Sequence, residues 1–124
     1  MSIKIKEIAY SCYVVTDFER ARAFYETALG LKNTMLYGKP GGPQWAEYDI
    51  GSGTLAIGAG APGMKPSPDG CSVAFEVEDF DAAVAHLRTH AVPFRMGPFE
   101  TPVCHMAMIS DPDGNSLMIH RRKS

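Results

Sequence analysis

Two histidines, His105 and His120, flank Asp111-Pro112-Asp113-Gly114, a sequence suited to a tight turn between two strands. A four-residue loop there pairs Ser110 with Asn115, and therefore His105 with His120. Directly opposed residues share a sheet face, with Cβ atoms ~5 Å apart. Two imidazoles so placed can ligate a transition metal or share acid–base work near neutral pH. Glu76 on the same face would complete the two-histidine, one-carboxylate set that leaves open positions on iron. The same rings can instead be polar contacts to a bound ligand, or solvated spacers. Catalytic residues are therefore unassigned, with His105, His120 and Glu76 as the candidates.

The remaining chemistry-bearing residues are more ambiguous. Cys104 precedes His105, but adjacent strand residues point to opposite faces, so the two form no nucleophile–base dyad. The three cysteines, Cys12, Cys71 and Cys104, include no C-x-x-C pair and read as structural thiols rather than a disulfide framework or zinc ribbon. His86 and His90 lie one helical turn apart without an H-E-x-x-H motif and read as solvent-facing. Trp45 and Tyr48 can stack on a flat ligand, but packing against a helix or a dimer seam is the expected role. Met35, Met106, Met108 and Met118 supply a soft, adaptable wall or ordinary core.

The elements that position these residues come from an internal repeat. Val15-Thr16-Asp17-Phe18-Glu19-Arg20-Ala21 matches Val77-Glu78-Asp79-Phe80-Asp81-Ala82-Ala83, which lies 62 residues further on. The same offset places Asp49 on Asp111 and Thr54-Leu55-Ala56-Ile57 on Ser116-Leu117-Met118-Ile119. The chain thus reads as one domain of two modules, near 5–58 and 70–121. The Pro- and Gly-rich stretch 59–69 links them.

Each module opens with an alternating strand, Ile8 to Val15 or Ser72 to Val77. Asp17 or Asp79 then caps a short amphipathic helix. The first helix ends at Gly30, and Pro93 follows the second. Three strands complete each copy. In the first they are Leu31 to Tyr37, Gln44 to Ile50 and Thr54 to Ile57. In the second they are Phe94 to Gly97, Cys104 to Ser110 and Asn115 to His120. The fold class is α+β: two tandem βαβββ modules forming curved mixed sheets with helices outside.

Composition narrows the function further. Lys+Arg 12 against Asp+Glu 14 leaves a net charge of -2, without the basic footprint that holds nucleic acid. No stretch approaches the ~18 apolar residues of a membrane span, and the N-terminus lacks a signal peptide's apolar run. A reduced cytoplasmic location is expected.

Two βαβββ modules carrying Asp17-Phe18-Glu19-Arg20-Ala21-Arg22-Ala23-Phe24-Tyr25, Leu29-Gly30-Leu31 and Asp111-Pro112-Asp113-Gly114-Asn115 resemble the vicinal oxygen chelate superfamily. It includes glyoxalase I, the bleomycin-resistance proteins and the extradiol dioxygenases. The resemblance implies four inward metal ligands, His or Glu, at positions that here hold Tyr10, Ala56, Ser72 and Met118. None is an ordinary ligand for zinc or nickel, so no metal ligands and no cofactor are expected.

What the resemblance then implies is metal-independent binding of a small organic molecule, as in the bleomycin-resistance branch. The ligand-binding residues would be Tyr10, Ser72, Glu76, His105, Met118 and His120. A homodimer is the expected assembly, with the pocket formed within one chain or across two. The alternative is a lyase, isomerase or oxygenase using a relocated His105/His120/Glu76 site, with a divalent metal under that reading alone. A second alternative is an interaction module without a small ligand.

Overall fold

The computed structural model describes residues 3–123. The first module comprises strand β1 (Ser11–Val14), helix α1 (Phe18–Ala23), and strands β2 (Met35–Gly38), β3 (Gln44–Ile50) and β4 (Gly53–Ala59). The second comprises β5 (Val73–Glu76), α2 (Phe80–Thr89), β6 (Phe94–Glu100), β7 (Cys104–Ser110) and β8 (Ser116–Arg122). Each makes a four-stranded mixed sheet, ordered β1-β4-β3-β2 and β5-β8-β7-β6. The first strand of each sheet runs parallel to the last, and all other pairs are antiparallel.

Local chemistry explains both helices. The Asp17 and Asp79 carboxylates each accept from the backbone N–H three residues on, Arg20 or Ala82, at 3.0 Å. A π-helical turn, Phe24–Ala28, continues α1, with Leu29 N–H donating to the Phe24 carbonyl at 3.0 Å. That turn keeps Phe24, Tyr25 and Ala28 buried. Gly30 then takes φ +77°, a conformation that stops the helix without a Cβ penalty.

Two strands start more than one residue away from where alternation puts them. β1 begins at Ser11, where its ladder with β4 begins, and Ile8 stays exposed ahead of it. β2 begins at Met35, because Leu31 N–H is taken by the Tyr25 carbonyl.

One core runs through both modules. Tyr13, Tyr48, Leu55 and Ile57 of the first sheet meet Ala107, Ile109, Leu117 and Ile119 of the second, with Tyr25 and Phe80 among the helical contributions. Since strand side chains alternate, these choices turn the complementary set of each sheet away from the core. We call that the inner face. It carries Cys12, Trp45 and Glu47 on the first sheet, and Glu76, Met106, Met108, Met118 and His120 on the second.

Candidate functional site

The inner face of the first sheet floors a cavity of ≈ 490 Å³. Tyr10, Cys12 and Val14 project into it from the β1 segment, two residues apart as alternation requires. Met35 and Tyr37 of β2, Trp45 and Glu47 of β3, and Met64 beyond β4 close the wall. The Tyr10 and Trp45 rings meet edge to face, centroids 5.1 Å apart. Trp45 Nε1 donates to Glu47 Oε2 at 2.8 Å, which fixes the indole plane. Burial pushes the Cys12 thiol pKa up, so this wall stays neutral there. A roomy, largely aromatic and thioether-lined hollow with a few polar atoms has the chemistry of a small-molecule site.

Gly58, on the central strand β4, sets the depth of that floor. A Cβ there would lie 3.0 Å from Trp45 Cε3.

Trp45 and Tyr48 part company, as their odd spacing along β3 dictates. Trp45 walls the cavity, while Tyr48 is fully buried and donates to Glu26 Oε2 at 2.9 Å. The expected packing role thus holds for Tyr48, whereas Trp45 lies on the cavity side.

The two-histidine arrangement requires correction. Ser110 pairs with Ser116, and the residues 111–115 form a five-residue loop. Asp111 Oδ1 accepts from Asn115 N–H at 2.9 Å and holds that residue inside the turn. The register therefore slips by one, so His105 faces Arg121 while His120 faces Met106. A one-residue slip sends a side chain to the other face. His105 thus lies on the core side against the Phe80 ring, 5.6 Å between centroids. The relocated His105/His120/Glu76 site is not assembled.

His120 and Glu76 do come together. His120 Nδ1 lies 2.6 Å from Glu76 Oε1, and Arg122 N–H donates to Oε2 at 2.6 Å. The Arg122 amide, and then the His120 ring, hold the Glu76 carboxyl below its ordinary range. Glu76 and Ala74 border a second hollow of ≈ 650 Å³ that reaches Ile8 and Ile50. Ser72 is exposed just ahead of β5, and Met118 lies on the inner face opposite Met108.

His86 is solvent-facing as expected, and it makes one contact besides. Its Nε2 lies 2.9 Å from the Ala28 carbonyl, tying α2 to the end of the first helical segment.

The sequence profile of the Glyoxalase/Bleomycin resistance protein/Dioxygenase superfamily matches residues 4–119. The chain belongs to that superfamily. Among solved structures, it is similar to TnmS3, an antibiotic binding protein from Streptomyces sp. CB03234. That match has a TM-score of 0.81 and 26% identity, over 98% of this chain and 100% of the other. A glyoxalase/bleomycin resistance protein from the same Streptomyces strain matches at TM-score 0.68 and 27% identity, over 90% and 98%. The Escherichia coli protein YaeR is 28% identical, over 95% of this chain and 98% of its own.

The superfamily's divalent metal does not fit this member. Of the four matching positions, Tyr10 walls the cavity, Ala56 is buried, Ser72 is exposed and Met118 is a thioether. Among the described residues, no three His, Cys, Asp or Glu side chains form a group that could hold a metal ion. Among the same residues, no helix is long and apolar enough to cross a membrane.

Proposed function

We propose that this protein binds a small, flat, largely apolar organic molecule over the inner face of its first sheet, without metal and without breaking a bond. The carrying observation is the ≈ 490 Å³ cavity whose walls are Tyr10, Tyr37, Trp45 and two methionines. Aromatic faces give a planar guest large contact area at low entropic cost, and thioethers adapt to its outline. The similarity to an antibiotic binding protein supports the same reading. Replacement of the superfamily's metal ligands by Tyr10, Ala56, Ser72 and Met118 supports binding without an ion.

The assembly we propose is a homodimer in the cytoplasm. Ile3, Ile5 and Ile8 are exposed together ahead of the edge strand β1, an apolar row that a second copy would cover. Three free cysteines suit a reducing compartment.

Trp45 is the only tryptophan in the chain, so its emission reports the cavity alone. Titration with anilinonaphthalene sulfonate and with bleomycin should produce a saturable change with at least one of them, unaltered by a chelator. Tyr37→Ala or Met35→Ala should weaken that binding about tenfold, the loss of one well-packed anchor of ~1.4 kcal/mol. Absence of a saturable response to both probes, or its abolition by the chelator, overturns the reading.

A further inference from the structure

The inner face of the second sheet carries an unusual set of donors. The β7–β8 ladder places Met108 opposite Met118 and Met106 opposite His120. Met96 of β6 lies opposite Met108, so three thioethers form one row across three strands. Met106, Met108, Met118 and His120 occupy the corners of a small rectangle, all half-buried. Cβ atoms stand ~5 Å apart across strands and about 7 Å apart along them. Four such side chains can converge on one point above its centre.

The histidine is already held from its other nitrogen. Glu76 Oε1 sits against His120 Nδ1 at 2.6 Å, and the Arg122 amide fixes the other carboxylate oxygen. In the neutral ring, a carboxylate on Nδ1 requires the proton there and leaves the Nε2 lone pair free. A carboxylate behind a histidine is the outer-shell arrangement that fixes a ligating ring and raises its basicity.

Three thioethers and one imidazole are poor ligands for hard divalent ions and good ones for soft cations. We propose that Met106, Met108, Met118 and His120 form a binding site for a soft monovalent cation, Cu(I), with Glu76 as the positioning residue. The site is separate from the cavity on the first sheet and does not depend on the ligand proposed for it.

Silver(I) is a redox-inert probe of the same softness. The Cys12 and Cys71 thiols, both reachable by a small ion, would compete for it, so the full-length Cys12→Ser, Cys71→Ser protein is the one to use, labelled at its methionine methyls. Titration with silver nitrate should shift the Met106, Met108 and Met118 methyl resonances together, saturating at stoichiometric silver, with the Met35 and Met64 methyls unmoved. Zinc chloride should move none of them.

Competition for Cu(I) against bicinchoninate gives the affinity. Met108→Leu and Met118→Leu keep side-chain volume and should preserve the fold. Each should weaken Cu(I) binding by about tenfold or more, and Glu76→Gln by a similar factor. The proposal is overturned if the three methyls stay put at stoichiometric silver, or if the leucine variants bind Cu(I) as tightly as the parent.

Discussion

Tyr25 Oη donates to Asp111 Oδ2 at 2.8 Å, joining the first module's helical segment to the second module's turn across 86 residues of sequence. Both groups are buried, and Asp111 also accepts from Asp113 N–H, Asn115 N–H and Asn115 Nδ2. The carboxylate therefore keeps three partners when the phenol is lost. Tyr25→Phe should cost about 2 kcal/mol, within the range for a hydrogen bond to a charged group. Asp111→Ala strips all four donors at once and should cost about 3 kcal/mol or more. Urea unfolding of both variants checks the order; equal losses would contradict it.

Tyr25 also stacks between Tyr13 and Tyr48, with ring centroids 6.5 and 6.2 Å away. Burial first, and then the Asp111 and Glu26 carboxylates to which they donate, pushes the Tyr25 and Tyr48 phenol pKa values above their ordinary 10.0. Burial raises Tyr13 likewise, against a lowering contribution from the Val73 amide. A raised folded-state pKa stabilises fully below the unfolded value and loses that contribution as pH climbs above it. The urea midpoint should thus fall from about pH 10 upward. Tyr25→Phe should make that fall shallower. A flat profile would show that the tyrosines ionise alike in both states.

Gly58→Ala tests the cavity floor. Its new Cβ would meet the indole of Trp45 at 3.0 and 3.1 Å, and Cys12 Sγ at 3.7 Å. The indole borders open cavity, so it can shift by a few tenths of an ångström. Stability should change by no more than ~1 kcal/mol, because alanine also reduces the freedom of the unfolded chain. Affinity for an aromatic probe should drop about tenfold as the wall moves inward. Unchanged affinity would place the bound molecule away from Trp45.

Cysteine chemistry offers an independent view of the same wall. Burial raises the Cys12 thiol pKa, so at pH 8 it holds less reactive thiolate than an unburied thiol. Iodoacetamide labelling of Cys12 should therefore keep accelerating as pH rises above the ordinary thiol range. An aromatic probe in the cavity should slow Cys12 further and leave Cys71 unchanged. Peptide mapping against time separates the two.

Much of this architecture was readable from residue types. The repeated Asp-Phe pair marked both helix starts because a capping carboxylate and a buried ring are needed at the same point in each copy. Alternation along β5 and β8 correctly grouped Glu76 with His120. The turn misled because Pro112-Asp113-Gly114 permits loops of four or five residues. What selects five is the Asp111 carboxylate holding Asn115, whose own side chain donates to the Val14 carbonyl of the other module at 2.9 Å. That contact spans 101 residues and leaves no local signature. The cavity was only half legible: Tyr10 and Cys12 share a strand face, but Met35, Tyr37 and Met64 reach it through pairing and loop course.

The phenol of Tyr13 bridges the two sheets. It donates to the Ser116 carbonyl at 2.7 Å and receives the Val73 amide at 2.6 Å, filling the gap beside the start of β5. One hydroxyl thus satisfies two backbone groups of the second sheet from a strand of the first. Tyr13→Phe leaves both without their partner, and a buried donor or acceptor so orphaned costs ~1–3 kcal/mol. Because β5 is an edge strand paired only with β8, the loss should concentrate there. Val73 should exchange its amide hydrogen about tenfold faster or more, the kinetic equivalent of ~1.4 kcal/mol. Amides of β3 should keep their protection apart from the global change. Uniform acceleration across both sheets would instead mean that the two modules open as one unit, with Tyr13 contributing to the whole core rather than anchoring an edge.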